Sequence, residues 1–316
     1  MRRVQAPSRG GDYAGIEHLG VSKNAQVWTA LVTVYIIWGS TYLGIFYAGQ
    51  TIPPLFAAST RFITSGTLMT LFVVLVRRGS LRARRREVLS AMLIGILLPG
   101  ANSVLFFAER NVPTGLASLI IASVPLWVMV LRLGVGRERL PWQVLAGVGI
   151  GFAGVAVLAQ PSGGAKAYGI ALCVLSAVMW ATGSFLSSRL PMPADPFAAT
   201  AIEMLTGGFA MLPFGLFTVH HFSPSMTSIL GWIYLVIFGS IIGYTAYVWL
   251  LANAPLGLVS TYAYVNPIVA ITLGVLFRGE SLTWRLLVGA AIVVVAVATV
   301  VRREPAEATV PEDGVR

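Results

Sequence analysis

The chain has 316 residues, 56% hydrophobic and only 11% charged, with a formal net charge of +10 and a mean hydropathy of +0.80. Soluble domains carry about 25% charged residues, so this composition excludes a water-facing surface over most of the chain: the solvent is lipid. The positive charge is gathered in termini and short loops, which excludes a nucleic-acid footprint.

Ten apolar runs of about 17 to 25 residues follow one another, each long enough to cross roughly 30 Å of hydrocarbon. They cover 26–48, 54–76, 88–108, 114–135, 142–160, 168–188, 196–218, 229–251, 256–277 and 284–301. Residues 1–25 read as a disordered cytoplasmic tail without a signal peptide, and 302–316 as a second cytoplasmic tail. In the first run Val34, Trp38, Tyr42 and Ile45 share a helical face, and Gly39 and Ser40 beside Trp38 let another backbone approach. The second run holds Arg61. The basic loop "RRGSLRARRRE" after it is suited to anionic lipid. The third carries Asn102 and ends beside Glu109. The fourth contains Pro125. The fifth contains "GVGIGFAG", a literal G-x-G-x-x-G with no strand before it, so it reads as a small-residue packing face and not a nucleotide loop. The sixth presents Ser176, Trp180, Ser184 and Ser187 on one face and holds the single cysteine, Cys173. The seventh carries Glu203. The eighth aligns Ser240, Tyr244, Tyr247 and Leu251. The ninth brings Tyr262, Tyr264 and Asn266 to the edge of Pro267.

Two patterns organise these runs. Counted through Arg303, sixteen basic residues fall in segments on one side, against four (Arg110, Lys166, Arg278 and Arg285) on the other. This predicts cytoplasmic N- and C-termini. The chain also repeats itself at an offset of 142 residues without gaps: Trp38 matches Trp180, Gly66 matches Gly208, "NVPTGLAS" matches "NAPLGLVS", Pro125 matches Pro267, and Glu138 matches Glu280. Two halves of five spans, 26–160 and 168–301, must run in opposite senses, because five is odd. The expected fold is an all-α integral membrane protein of ten transmembrane helices in two inverted five-helix repeats, an arrangement shared by many secondary transporters.

The repeat gives the prolines a reading. Each lacks an N–H, so the carbonyls of Ile121 and Ala263 lose a helical partner. Irregular backbone at membrane depth is tolerated only against protein or a wet cavity. Pro125 and Pro267 are therefore expected as hinges or cavity walls, with a plain packing kink as the alternative. Glu138 and Glu280 are expected to have a structural role near the start of the next helix.

"YIIWGSTYLGI", "FAASTRF", "NVPTGLASLIIASVPL", "YAYVNPIVA" and "RGESLTW" together resemble the EamA family of the drug/metabolite transporter superfamily over about residues 27–301. The resemblance implies ten helices, two repeats, residence in a bacterial inner membrane, and export of small metabolites, amino acids or drugs by alternating access. It also implies a cavity lined by helices 1, 3, 4, 6, 8 and 9. A lipid or lipid-linked sugar flippase of the same superfamily is the alternative, and a membrane-embedded enzyme the remote one.

From the residues, the expected substrate cavity comprises Trp38, Ser40, Tyr42, Asn102, Trp180, Ser184, Tyr244, Tyr247, Tyr262, Tyr264 and Asn266. It is an aromatic, mildly polar set that suits an amino acid or amphiphile. Arg61 and Glu203 occupy repeat-equivalent positions with opposite charge and are expected to be a structural pair, to have separate partners at helix ends, or to act in gating or a proton-linked role. Glu109 is a second candidate proton carrier. Adjacent His220 and His221 are not expected to bind metal, and no cofactor, nucleic acid or catalytic residue is expected. Proton linkage, and a monomer or homodimer, are both left open.

Overall fold

The computed structural model describes residues 23–78, 81, 83–158, 165–219 and 222–302, with the side chains at 264, 297 and 300–302 excluded. The expected tails, His220 and His221 therefore lie outside the described residues, wholly or nearly so.

Every regular element among the described residues is helical. α1 spans Lys23–Ala48, α2 Pro54–Leu71, α3 Arg85–Ala108, α4 Thr114–Ile121, α5 Val124–Gly134 and α6 Trp142–Leu158. α7 spans Ala167–Ser187, α8 Pro196–Leu216, α9 Met226–Tyr234, α10 Thr245–Asn253, α11 Leu256–Val259, α12 Tyr262–Arg278 and α13 Trp284–Arg302. Two stretches widen to π turns: Phe72–Val76, which continues α2, and Leu235–Tyr244, which joins α9 to α10. Seven helical segments are long and apolar enough to cross a bilayer, and three shorter apolar helices accompany them.

Large apolar side chains point outward along the bundle, among them Ile36, Leu75, Phe217 and Leu276. In water such a surface would aggregate; in lipid it is the required exterior. Trp142 and Trp284, equivalent in the repeat, are both exposed at the starts of α6 and α13, where an amphipathic ring suits the membrane interface.

α2 packs along α8, α3 lies against α7 and α8, α1 against α12, and α6 against α13. The close contacts use the absence of a Cβ. At Gly66 an added Cβ would sit 2.9 Å from the backbone nitrogen of Leu205, and at the equivalent Gly208 it would sit 2.8 Å from that of Ile63. The small-residue face of α6 is used within the chain: Gly151 meets Leu126 and Ala296, and Gly154 meets Ile292 and Val293.

The proline positions differ from expectation in one respect. The chain breaks at Ala122–Ser123, and Pro125 stands in the first turn of α5 just after the break. In the second half the break falls at Ser260–Thr261, between α11 and α12, and Pro267 lies inside continuous α12. A proline interrupts one hydrogen bond of the ladder, and packing on both sides lets the helix run through it.

Candidate functional site

The two tryptophans that the repeat pairs meet at the centre of the molecule. The rings of Trp38 on α1 and Trp180 on α7 lie edge to face, 5.3 Å apart. Tyr247 on α10 stands 4.7 Å from Trp38 and 5.6 Å from Trp180. Tyr262 on α12 stands 5.5 Å from Trp38. The Trp38–Trp180 and Trp38–Tyr262 pairs are edge to face and the Tyr247 pairs tilted; edge-to-face pairs add about 0.5–1.5 kcal/mol each beyond burial. The polar edges are held as well. Trp38 Nε1 donates to the carbonyl of Gly239 at 3.2 Å. Trp180 Nε1 donates to the Tyr247 hydroxyl at 3.2 Å, and that hydroxyl also bonds Ser184 Oγ at 2.7 Å.

Beside this cluster is a cavity of about 40 Å³. Of the expected residues, Trp38, Tyr42, Asn102, Trp180, Tyr244, Tyr262 and Asn266 line it, and so does Arg61. Ser184 and Tyr247 support the wall through the bonds just given. Ser40 faces elsewhere: its Oγ meets the Ile37 carbonyl at 2.7 Å and the Tyr234 hydroxyl at 2.5 Å, because it lies two residues beyond Trp38 and so points about 200° around the helix. The side chain of Tyr264 is outside the described set. Asn266, with its amide nitrogen toward carbonyls, donates to Tyr35 at 3.1 Å and Tyr262 at 3.2 Å.

Thr41, Phe62, Leu105, Ile121, Ser176 and Gly239 also line the cavity and were not in the expected set. Ser176 was visible on the face that carries Trp180. Gly239 had no signal in sequence: it matters because its carbonyl accepts from Trp38.

The two intramembrane charges are buried, Arg61 at 2% and Glu203 at 1% exposure. They do not form an ion pair with each other. Arg61 Nε donates to Ser240 Oγ at 2.7 Å, and Nη1 to Asn102 Oδ1 at 2.9 Å. Glu203 Oε2 accepts from the Tyr244 hydroxyl at 2.6 Å. Ser240 and Tyr244 are four residues apart, so both charges are held by the same π segment. Glu109 is buried at the end of α3, and neither of its carboxylate oxygens has a hydrogen-bond partner. It is not among the lining residues.

The repeat-equivalent glutamates of the rim are used differently. Glu280 accepts the backbone N–H groups of Thr114 at 2.9 Å and Gly115 at 3.1 Å, capping α4 from the other half of the chain. Arg278 pairs with Glu280 at 2.5 Å, bonds Thr114 Oγ1, and stacks 3.7 Å over the ring of Phe46. A recess of about 340 Å³ opens beside this cluster, but the cluster's charges are already engaged with each other. Glu138 accepts from Arg132 Nε at 2.7 Å and from Arg189. Its repeat-equivalent targets would be the N–H groups of Leu256 and Gly257, and it takes neither.

A lipid-facing helical bundle with buried charges and an aromatic-walled interior cavity is the build of a multi-pass membrane protein with an internal polar site. The chain belongs to the EamA-like transporter family, whose sequence model matches residues 27–160 and again 167–302. It is 38% identical over 263 residues to the "Uncharacterized inner membrane transporter YedA" of Escherichia coli (strain K12), covering 80% of this chain and 83% of that one. It is 30% identical over 267 residues to "Protein PecM" of Dickeya dadantii, covering 80% and 84%. It is 27% identical over 277 residues to a "Probable amino-acid metabolite efflux pump" of Salmonella typhimurium, covering 82% and 89%. A solved crystal structure shares the fold, with a TM-score of 0.64 at 20% identity over 88% of this chain and 96% of its own.

Proposed function

We propose that this protein is a secondary transporter of the bacterial inner membrane. On this reading it exports small metabolites, amino acids or drugs by alternating access between two inverted five-helix halves, with both termini cytoplasmic. No chemical step is assigned to it. The observation that carries the reading is the unequal use of Glu280 and Glu138. Residues at one repeat position engage a helix start on the side that the charge count assigns to the periplasm, and their equivalents leave the matching helix start free on the other side. Exchanging the two arrangements would close one rim and open the other around the Trp38–Trp180 centre.

Two further features support it. The helix contacts map onto themselves when the halves are exchanged: α3 against α7 corresponds to the α9–α10 segment against α1, and α1 against α12 corresponds to α7 against α5. The cavity of about 40 Å³ has room for one or two waters, as expected of a contracted state that must open to admit a solute. The inner-membrane and efflux assignments of the relatives agree with this placement.

The test is counterflow in proteoliposomes loaded with labelled amino acids and with neutral and cationic drugs. Accelerated exchange of at least one class is expected, and none with any class would overturn the reading. Topology is checked by a cysteine introduced at Ser80 in a Cys173→Ala background. Labelling by an impermeant reagent added from the periplasm would overturn the cytoplasmic assignment.

A further inference from the structure

A cation stands at the wall of the central cavity with no carboxylate beside it. The Arg61 guanidinium offers five N–H donors. Nε gives one to Ser240 and Nη1 one to Asn102, and both acceptors are neutral. Among the described residues no ion pair to Arg61 occurs. The nearby acids are accounted for: Glu203 is held by Tyr244, and Glu109 does not line the cavity. Removing a charge from water without an opposite charge is costly, and a guanidinium matches a carboxylate in a two-bond fork. The fork is also held in place. Ser240 and Asn102 hold two of its nitrogens, and the third, Nη2, packs against Gly239, where an added Cβ would lie 2.9 Å from it.

The rest of the cavity is mostly apolar or aromatic, with Trp38, Phe62, Leu105, Ile121 and Tyr262 along it, and its other polar side chains, among them Thr41, Ser176 and Asn266, are neutral. Arg61 is the one basic residue among the lining residues. A single positive charge balances a monoanion and would leave a phosphate dianion half neutralised.

We propose that Arg61 is the anchor for a substrate carboxylate, and that the cavity takes a monoanionic solute with a compact aromatic or apolar body. The carboxylate occupies the N–H groups that Ser240 and Asn102 leave unused. The body packs against Trp38 and Tyr262 once the helices part. This rests on the transport reading and names its substrate class.

The test uses the full-length protein in detergent and three probes with the same ring: phenylacetate, phenylalanine and phenethylamine. Binding is read by tryptophan fluorescence and by the shift in unfolding temperature. Phenylacetate is expected to bind about tenfold more tightly than phenethylamine, with phenylalanine, whose ammonium offsets its carboxylate, between them. Arg61→Gln should abolish that preference, and Arg61→Lys should retain part of it. Equal or tighter binding of phenethylamine, or no stabilisation by either carboxylate, would overturn the proposal. So would phenylacetate binding by Arg61→Gln within about twofold of the parent. If Arg61→Gln does not fold, the probe series on the parent and on Arg61→Lys decides. Rescue of folding by adding Glu203→Gln to Arg61→Gln, with neutral solutes still exchanged, would show that Arg61 serves Glu203 in another state and would also overturn it. Counterflow of neutral or cationic solutes without carboxylate binding sinks the anchor and leaves the transporter. Carboxylate binding with no counterflow does the reverse.

Discussion

At the scale of single residues, Trp180 separates packing from hydrogen bonding. Its ring is buried among Trp38, Tyr244 and Tyr247, and its Nε1 serves one hydroxyl. Trp180→Ala should cost about 3–5 kcal/mol of stability through the cavity it leaves. Trp180→Phe keeps most of the apolar area and should cost nearer 0.5–1.5 kcal/mol. Denaturant unfolding in detergent compares the two, and equal costs would show that the hydrogen bond dominates. Arg61 and Glu203 pose a different question, since each has its own partner. The losses from Arg61→Gln and Glu203→Gln should add in the double variant to within about 0.5 kcal/mol. A larger coupling energy would mean that the two charges meet in another conformation.

At the scale of elements, the two halves solve the same problem by different means. Pro99 lies inside α3, and its repeat position, Ile241, falls in the π segment Leu235–Tyr244. Pro213 lies inside α8, and its repeat position, Leu71, directly precedes the π turn Phe72–Val76. One half removes a donor and the other widens the turn, and both interrupt the regular ladder. The breaks in the gating candidates are not equivalent, so their prolines should behave differently. Pro125→Ala would allow α4 and α5 to join across Ala122–Ser123 and should slow transport strongly at normal expression. Pro267→Ala replaces a residue already inside a helix and should have the smaller effect. Transport rates of the two variants, with cysteine accessibility at Asn102, check the order. The α2–α8 crossing gives a further expectation: Gly66→Ala and Gly208→Ala each place a methyl against an opposing backbone nitrogen. Each should cost about 1–3 kcal/mol, measured as a loss of unfolding free energy.

At the scale of the whole molecule, the rim glutamates are the natural handle. Glu280 holds two backbone donors of α4 across the halves, whereas Glu138 pairs with Arg132 of its own half and Arg189 of the other and holds no backbone donor of α11. Glu280→Gln weakens the cross-half cap and should raise accessibility from the periplasm at Asn102 and Ser184. Glu138→Gln should not, because the cross-half pair it loses, with Arg189, caps no helix start in this state. Single-cysteine labelling from each side in a Cys173→Ala background distinguishes them, and equal shifts from both variants would remove the rims as the site of alternation.

What the sequence determined by itself was the solvent, the helices, the doubling and most of the central residues. Hydropathy decides the first two because a lipid exterior demands apolar runs and internally bonded backbone. The 142-residue offset paired Trp38 with Trp180 and Gly66 with Gly208, and the structure brings the rings of the first pair into contact and sets both glycines in the α2–α8 packing. What only the tertiary structure decided was direction and partner. Ser40 follows Trp38 by two residues yet faces Tyr234, since helical rotation is read against neighbours that a periodicity does not name. Arg61 and Glu203 look like a pair at equivalent positions, but the π segment supplies Ser240 to one and Tyr244 to the other, a neutral partner within hydrogen-bond reach of each. Glu280 was readable as a cap for the helix after it. It caps α4 instead, because the fold brings that helix's free N–H groups within 3.1 Å, and contacts between residues 165 positions apart are fixed by packing and not by local sequence.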